Sequence, residues 1–552
     1  MRLGSSSAET QAIQTNSDSF DSTREGFWAS DEVTGAGYAS QETTVTASAD
    51  TTNRVGRVRL SVQIKDFGPI SSGSIEIRPL TLFIGPNNSG KSYAAMLIHA
   101  LLESYTPFEP YLIVGESRMR HRILYRGILE NLMEGVTLKF KDFIDEVNRL
   151  EVGSTIVVPR SLIQSALKET WKYYERRLSD EIARFYASKP SSLSRIGTKS
   201  FRIGVVLDGY RANLQCQKER VRMEEYPEVE IPMAVRAVTK LKGRMKVEME
   251  GNTRIVLLRK VEQTREDARV SRYLIAEAVA EAILNAVFAF VPNASYYLPA
   301  ARSSILQGHR VLAAGVFRQL PYVGIEKLEI PKFSGVVADF VSSVIALSPE
   351  EKGPFFQLAK EFEKQLTKGE IIMRPLEEYY PDIIYRMGSA EMPLHRASSS
   401  VAELAPIFLY LRHLVRPGSI LVIEEPEAHL HPANQRLLAH LLVRLIRAGV
   451  SVLVTTHSEY LLEQLNTFLL MARVKPEQRA REYGYSEKDH LEPDEVGAYA
   501  FEPDKATGGH KVRKLEITSE GTIPEEEFLK VHEDLYEEAL KLRKFAEAPP
   551  SG

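Results

Sequence analysis

The stretch Gly85-Pro86-Asn87-Asn88-Ser89-Gly90-Lys91-Ser92 constrains this chain more than any other, because it fits G-x-x-x-x-G-K-[ST] at every fixed position. Before it, Pro79-Leu80-Thr81-Leu82-Phe83-Ile84 is a short apolar run that reads as a buried strand. After it, 92–102 is rich in helix formers. Strand, glycine-bearing loop and helix in that order make a phosphate cradle. Glycines let the backbone turn successive N–H groups onto one anion, and the following helix adds its positive end to the same point. Lys91 is placed to reach the β- and γ-phosphates, and the Ser92 hydroxyl to hold Mg²⁺. The expected ligand is a nucleoside triphosphate.

A second motif lies far downstream. Ser419-Ile420-Leu421-Val422-Ile423-Glu424-Glu425-Pro426-Glu427 is an apolar, β-branched run that ends in acids. In a parallel sheet such a strand delivers its terminal carboxylates to the ligand crevice. One carboxylate there holds the Mg²⁺ of a phosphate-loop enzyme, and a second can polarise the attacking water. Glu424 is assigned to the metal and Glu425 to the water. Ser451-Val452-Leu453-Val454-Thr455-Thr456-His457-Ser458 repeats the pattern, which places His457 near the γ-phosphate or the water.

The rest of the chain bounds the setting. At 552 residues two or three domains are expected. A net charge of −3 gives no bulk positive field, so any nucleic-acid surface has to be a local patch. Basic residues do gather between Lys218 and Lys260, where nearby glutamates favour a solvated face over a phosphate contact surface. The single cysteine, Cys216, excludes an internal disulfide framework and suits a reducing cytoplasm. Residues 1–54 are Ser/Thr/Ala/Asp/Glu-rich, the composition of a disordered leader. The apolar run Tyr273 to Pro292 carries Glu277, Glu281 and Asn285 on one helical stripe, which reads as a buried helix rather than a membrane span.

Gly85–Ser92, the run Leu421 to Pro432 and Thr455-Thr456-His457-Ser458 resemble the Walker A motif, the Walker B motif with D-loop, and the H-loop of ABC-type ATPases. The wording E-E-P-E-A-H-L-H-P with T-T-H-S, and the opening I-K-D-F-G-P-I, are similar to the OLD-like and SMC-like branch rather than to transporters. The resemblance covers about 57–105 and 376–475. It implies ATP and Mg²⁺ as cofactors, Lys91 and Ser92 on phosphates and metal, Glu425 as catalytic carboxylate and His457 as γ-phosphate sensor. It implies a signature element at Ser398, Ser399 and Ser400, where this chain has serines in place of the family's glycines. No glutamine is assigned to a Q-loop, Gln164 and Gln307 being weak candidates. Relatives often carry a Toprim nuclease, but no two aspartates here are separated by one residue, so none is expected. Tyr297-Leu298-Pro299-Ala300-Ala301-Arg302 looks like an element of stand-alone OLD-like ATPases.

The expected fold is therefore α/β: an ABC-type head with a mixed sheet and phosphate-loop core, formed from N- and C-terminal segments. A large, mainly helical insertion with a small β-rich patch divides it. The expected divisions are a polar leader at 1–56, head lobes at 57–110 and 376–475, an insertion at 111–375 and a C-terminal extension at 476–552. The resemblance implies heads that dimerise or assemble further, a separate effector such as a nuclease or toxin, and double-stranded DNA as a candidate partner, with no membrane. The expected role is an ATP-hydrolysing switch in prokaryotic antiviral defence. The alternatives are an ATP-bound scaffold with little turnover and a DNA-repair ATPase.

Overall fold

The computed structural model describes residues 60–105, 142–207, 210–227, 229–239, 241, 245–259, 279, 282, 292, 294–308, 333–374 and 382–547. The expected leader, most of the helix expected at 111–150 and nearly all of the run 273–292 lie outside these residues. Strands β1 Leu60–Phe67, β2 Ile70–Glu76 and β3 Leu80–Ile84 lead to helix α1, Lys91–Tyr105. Then come β4 Thr155–Val157, α2 Arg160–Phe185, β5 Arg202–Leu207, β6 Tyr210–Gln217, β7 Arg220–Met223 and β8 Met233–Val238. Next are β9 Met245–Glu250, β10 Thr253–Arg259, β11 Ser295–Leu298, α3 Gly335–Ile345, α4 Phe356–Thr367, β12 Glu370–Arg374, β13 Asp382–Met387 and β14 Ala390–Pro393. The chain closes with α5 Ser399–His413, β15 Ile420–Glu424, α6 Pro432–Arg447, β16 Ser451–Thr456, α7 Glu459–Met471, β17 Val496–Asp504, β18 Gly509–Leu515 and α8 Glu526–Glu547.

Eleven of these strands form one mixed sheet in the order β11-β15-β16-β3-β17-β18-β2-β1-β5-β6-β7. Its first five strands run parallel. Strands β3, β15 and β16 are buried at every residue, which explains their unbroken apolar sequence: helices cover both faces. Within β3 the side chains alternate. Phe83 joins a core with α1 and α2, whereas Leu80, Leu82 and Ile84 join a second core with α5, α6 and α7.

The pairing redraws the expected domain limits in three places. β17, expected in a separate extension, lies beside β3, with Ala500 opposite Ile84. β11, expected in the insertion, is the edge strand beside β15. Strands β5 to β7 continue the head sheet from β1, while β4, β8, β10 and β9 form their own four-stranded sheet. The physical reason is common to all three: pairing between distant segments leaves no mark in local periodicity. Among the described residues no helix is long and apolar enough to cross a membrane.

The basic stretch is partly neutralised within the fold. Arg236 makes a two-pronged ion pair with Glu250, and Lys246 pairs with Glu248. Lys240, Lys242, Arg244 and Lys260 lie outside the described residues.

Candidate functional site

Three parallel strands end at one edge of the sheet, and their register assembles the site. Ile84 sits opposite Thr456, and Glu424 opposite Thr455. The residues just beyond these strand ends, Gly85, His457 and Glu425, therefore share the crevice where parallel sheets take ligands.

Gly85 and Gly90 adopt φ of +145° and +102°, and Asn88 a φ of +61°. A Cβ on Gly85 would stand 2.7 Å from the carbonyl oxygen of Phe501 in β17, and one on Gly90 2.8 Å from Ile70. Both positions therefore demand glycine. Pro86, Asn87, Asn88 and Ser92 are exposed, while Ser89 and Lys91 are buried. Lys91 Nζ donates to the carbonyls of Gly85 and Pro86, both at 2.8 Å, folding the ammonium across the mouth of the loop. The buried hydroxyl of Ser89 has no hydrogen-bond partner, a polar group turned to a place where an acceptor belongs.

Opposite the loop, Glu425 has φ of +42°, a strained value for a residue with a Cβ. Its N–H donates to the Thr455 carbonyl at 2.9 Å and the Thr455 hydroxyl at 3.2 Å. Its carboxyl is 41% exposed and lies 3.7 Å from His457 Nε2. Burial, and then the Lys91 charge, hold the His457 imidazole below its usual range. A neutral imidazole at this point can accept or donate one hydrogen bond.

The Glu424 carboxyl is held by its neighbours in the fold. Its carboxyl accepts from the Tyr297 hydroxyl at 2.5 Å and from Ala300 N–H at 3.1 Å. Each oxygen keeps a second lone pair, so it can still order a water around a cation. Among the described residues no group of three or more His, Cys, Asp or Glu side chains could hold a metal unaided.

Several residues that sequence reasoning left without a role complete this shell. Arg302, with 0% exposure, donates to the carbonyls of Pro299, Glu424, Glu425 and Glu403. It also pairs at 3.4 Å with the buried Glu403 carboxylate, which accepts from the Ser303 hydroxyl. Glu427 Oε1 accepts from the Thr456 hydroxyl and from His457 N–H, its other oxygen has no partner, and burial pushes its pKa up.

The expected signature serines start α5. Ser398 caps it by accepting from Val401 N–H at 3.4 Å, and its hydroxyl meets that of Ser400 at 3.0 Å. Ser398 and Ser399 are exposed. Gln164 donates to the Val229 carbonyl, and Gln307 is exposed. His431 caps α6, a structural task.

Comparison with known proteins follows the same two segments. A family model described as "AAA ATPase domain" matches residues 60–156. One described as "AAA domain, putative AbiEii toxin, Type IV TA system" matches residues 262–463. Among solved structures, the chain is similar to an SmcHead bound to the C-winged helix domain of ScpA, at 11% identity and TM-score 0.37, covering 83% of this chain and 98% of that one. It is similar to the SMC head domain from Thermotoga maritima, at 11% identity and TM-score 0.31, covering 84% of this chain and 100% of that one. A third is the Smc head domain with an extended coiled coil bound to the C-terminal domain of ScpA derived from Pyrococcus furiosus, at 10% identity and TM-score 0.35, covering 87% and 99%. No curated protein matches the sequence. The chain carries AAA-family ATPase domain sequence in two separated stretches, one holding the phosphate loop and the other Arg302, Glu424, Glu425 and His457.

Proposed function

We propose that this protein hydrolyses ATP and uses the cycle as a switch on the association of its heads. The observation that carries the reading is the strained, doubly anchored Glu425 beside His457, across the crevice from the phosphate loop. A scaffold that only binds nucleotide has no need of a carboxylate held in that way. The residues fit a magnesium triphosphate. The loop N–H groups, the Ser89 hydroxyl, Lys91 and the N-terminus of the fifteen-residue α1 would take the phosphates. Ser92 would ligate the cation, with Glu424 behind it ordering a water. When bound, the cation would neutralise charge developing on the transferred phosphoryl group.

The chain's own residues then divide the work. Glu425 accepts a proton from the attacking water. Neutral His457 hydrogen-bonds the γ-phosphate region or that water. Arg302 and Thr455 fix the Glu425 backbone. Ser398, Ser399 and Ser400 offer hydroxyls and N–H groups at an exposed helix start, suited to the nucleotide of a second head. Control of a separate effector in antiviral defence fits the toxin-system description of one matching family, and double-stranded DNA is the candidate trigger.

The test is ATP turnover by wild type and Glu425→Gln, with and without double-stranded DNA, while mass is followed in solution. Turnover lost in the variant, together with an ATP-stabilised assembly, supports the switch. Tight ATP binding with no turnover in either protein supports the scaffold reading instead.

A further inference from the structure

The run Tyr297-Leu298-Pro299-Ala300-Ala301-Arg302 closes on the end of β15. β11 lies parallel to β15 with Tyr297 opposite Val422. Glu424 stands two residues beyond Val422 and so projects to the same side of the sheet, where Tyr297 and Val422 share a core with α1. The Tyr297 phenol reaches along that side to one Glu424 oxygen, at 2.5 Å, and the turn after β11 brings Ala300 N–H to the other, at 3.1 Å. α1, which opens with Lys91 and Ser92, packs on the same strand. His99 Nδ1 lies 2.7 Å from the Ser295 hydroxyl, and its ring centre 5.2 Å from that of Tyr297.

Both groups of the phenol–carboxylate contact are buried, Tyr297 to 4% exposure and Glu424 to 9%. Burial, and then the Glu424 charge, push the phenol pKa well above its ordinary value, so the hydroxyl stays protonated and donates. An O–H donated to a carboxylate is of the strong, charge-assisted kind. A glutamate has one more rotatable bond than the aspartate that phosphate-loop enzymes commonly place at this point, so more freedom is lost when its carboxylate is fixed. One donor on each oxygen holds that carboxylate in one orientation, with a second lone pair of each oxygen still available to a metal's water. Partners of this kind orient a metal-holding group, and losing one costs roughly 10–100-fold in metal affinity.

We infer that Tyr297 is the positioning residue that aims Glu424 at the cation, an inference that rests on the magnesium–triphosphate reading of the crevice. The test uses the full chain saturated with a non-hydrolysable ATP analogue. Binding of Mn²⁺, which takes the same oxygen ligands as Mg²⁺, is followed by electron paramagnetic resonance, so no turnover is needed. Tyr297→Phe keeps the buried ring. It is expected to weaken Mn²⁺ binding about tenfold and to leave affinity for the analogue in EDTA unchanged. Glu424→Gln is expected to weaken Mn²⁺ at least as much. Ser295→Ala removes the His99 contact on the same strand without touching the Glu424 carboxyl, and is expected to bind Mn²⁺ as wild type does. Wild-type Mn²⁺ affinity in Tyr297→Phe, with Glu424→Gln impaired, would overturn the inference alone and leave the hydroxyl a structural group. An equal loss in Ser295→Ala would also overturn it, because loosening of β11 would then account for the effect. Wild-type Mn²⁺ affinity in Glu424→Gln would remove the metal role of Glu424 and the inference with it.

Discussion

Arg302 Nη1 stands 2.6 Å from the carbonyl oxygen of Glu424, and its Nη2 3.3 Å from that of Glu425, with no part of the side chain exposed. The guanidinium thus grips the backbone at the point where β15 ends and the strained Glu425 begins. Its counter-charge, Glu403, is also buried. Removing one member of such a pair leaves a charge without compensation, at a cost of about 3–5 kcal/mol. Arg302→Ala is therefore expected to lower stability by that order, measured by urea unfolding. Arg302→Met combined with Glu403→Met is expected to cost clearly less than the sum of the single changes.

His99 carries a pH prediction. It lies in α1 with 3% exposure, stacked on Phe185, and its Nδ1 is 2.7 Å from the Ser295 hydroxyl. Burial, and then the Arg184 charge, lower its pKa to about 3. The folded state thus binds this proton more weakly than the unfolded chain does. The neutral ring's contribution is fully present above about pH 6.5, and is lost as pH falls from there toward 3. At about 1.4 kcal/mol per unit, the loss is on the order of 5 kcal/mol. His99→Gln keeps a partner for Ser295 and removes the titration. Its unfolding free energy is expected to fall less steeply than wild type between pH 6.5 and 4.5.

What the sequence revealed and what it hid divide along contact distance. Glu424, Glu425 and His457 stand out in the sequence because each lies at or just beyond the end of a strand whose apolar run and polar stop are contiguous, and Lys91 and Ser92 because they close the phosphate-loop motif and open α1. The register of β3, β15 and β16 then brings those ends together. Arg302 was not legible as part of the site, since its partners Glu403 and Glu424 are 101 and 122 residues away. Nothing local in the sequence shows that Tyr297 and Ala300 hydrogen-bond the Glu424 carboxyl. The β17 strand was readable as a strand, but its neighbour was not.

Gly85 exposes that hidden neighbour to experiment. Its φ of +145° is closed to residues with a Cβ, and a methyl there would press on the Phe501 carbonyl, a backbone atom that cannot turn aside. Gly85→Ala is expected to displace the phosphate loop while leaving the sheet in place. Nucleotide affinity measured by calorimetry should fall at least tenfold, which corresponds to about 1.4 kcal/mol. Thermal stability without nucleotide should fall modestly. Phe501→Ala, which keeps the carbonyl, is not expected to rescue binding.

The segment after residue 475 is expected to be indispensable for the head. β17 lies against β3 along five registered pairs, from Val496 with Leu80 to Ala500 with Ile84. Ala498, Tyr499, Ala500 and Phe501 are each buried to within 1%. Phe83, one residue before the end of β3, packs its ring on Tyr499 and Phe501 at 6.1 and 5.1 Å. Deleting the segment would leave the phosphate-loop strand with an unpaired, apolar edge, which promotes association between chains. A chain ended at residue 475 is expected to aggregate and to bind no ATP, whereas one ended after residue 524, lacking only α8, should stay folded and bind ATP with unchanged affinity. Gel filtration with nucleotide binding on the two truncations separates the cases. ATP binding by a soluble chain ended at 475 would show that β17 is an appendage to the head rather than part of its core.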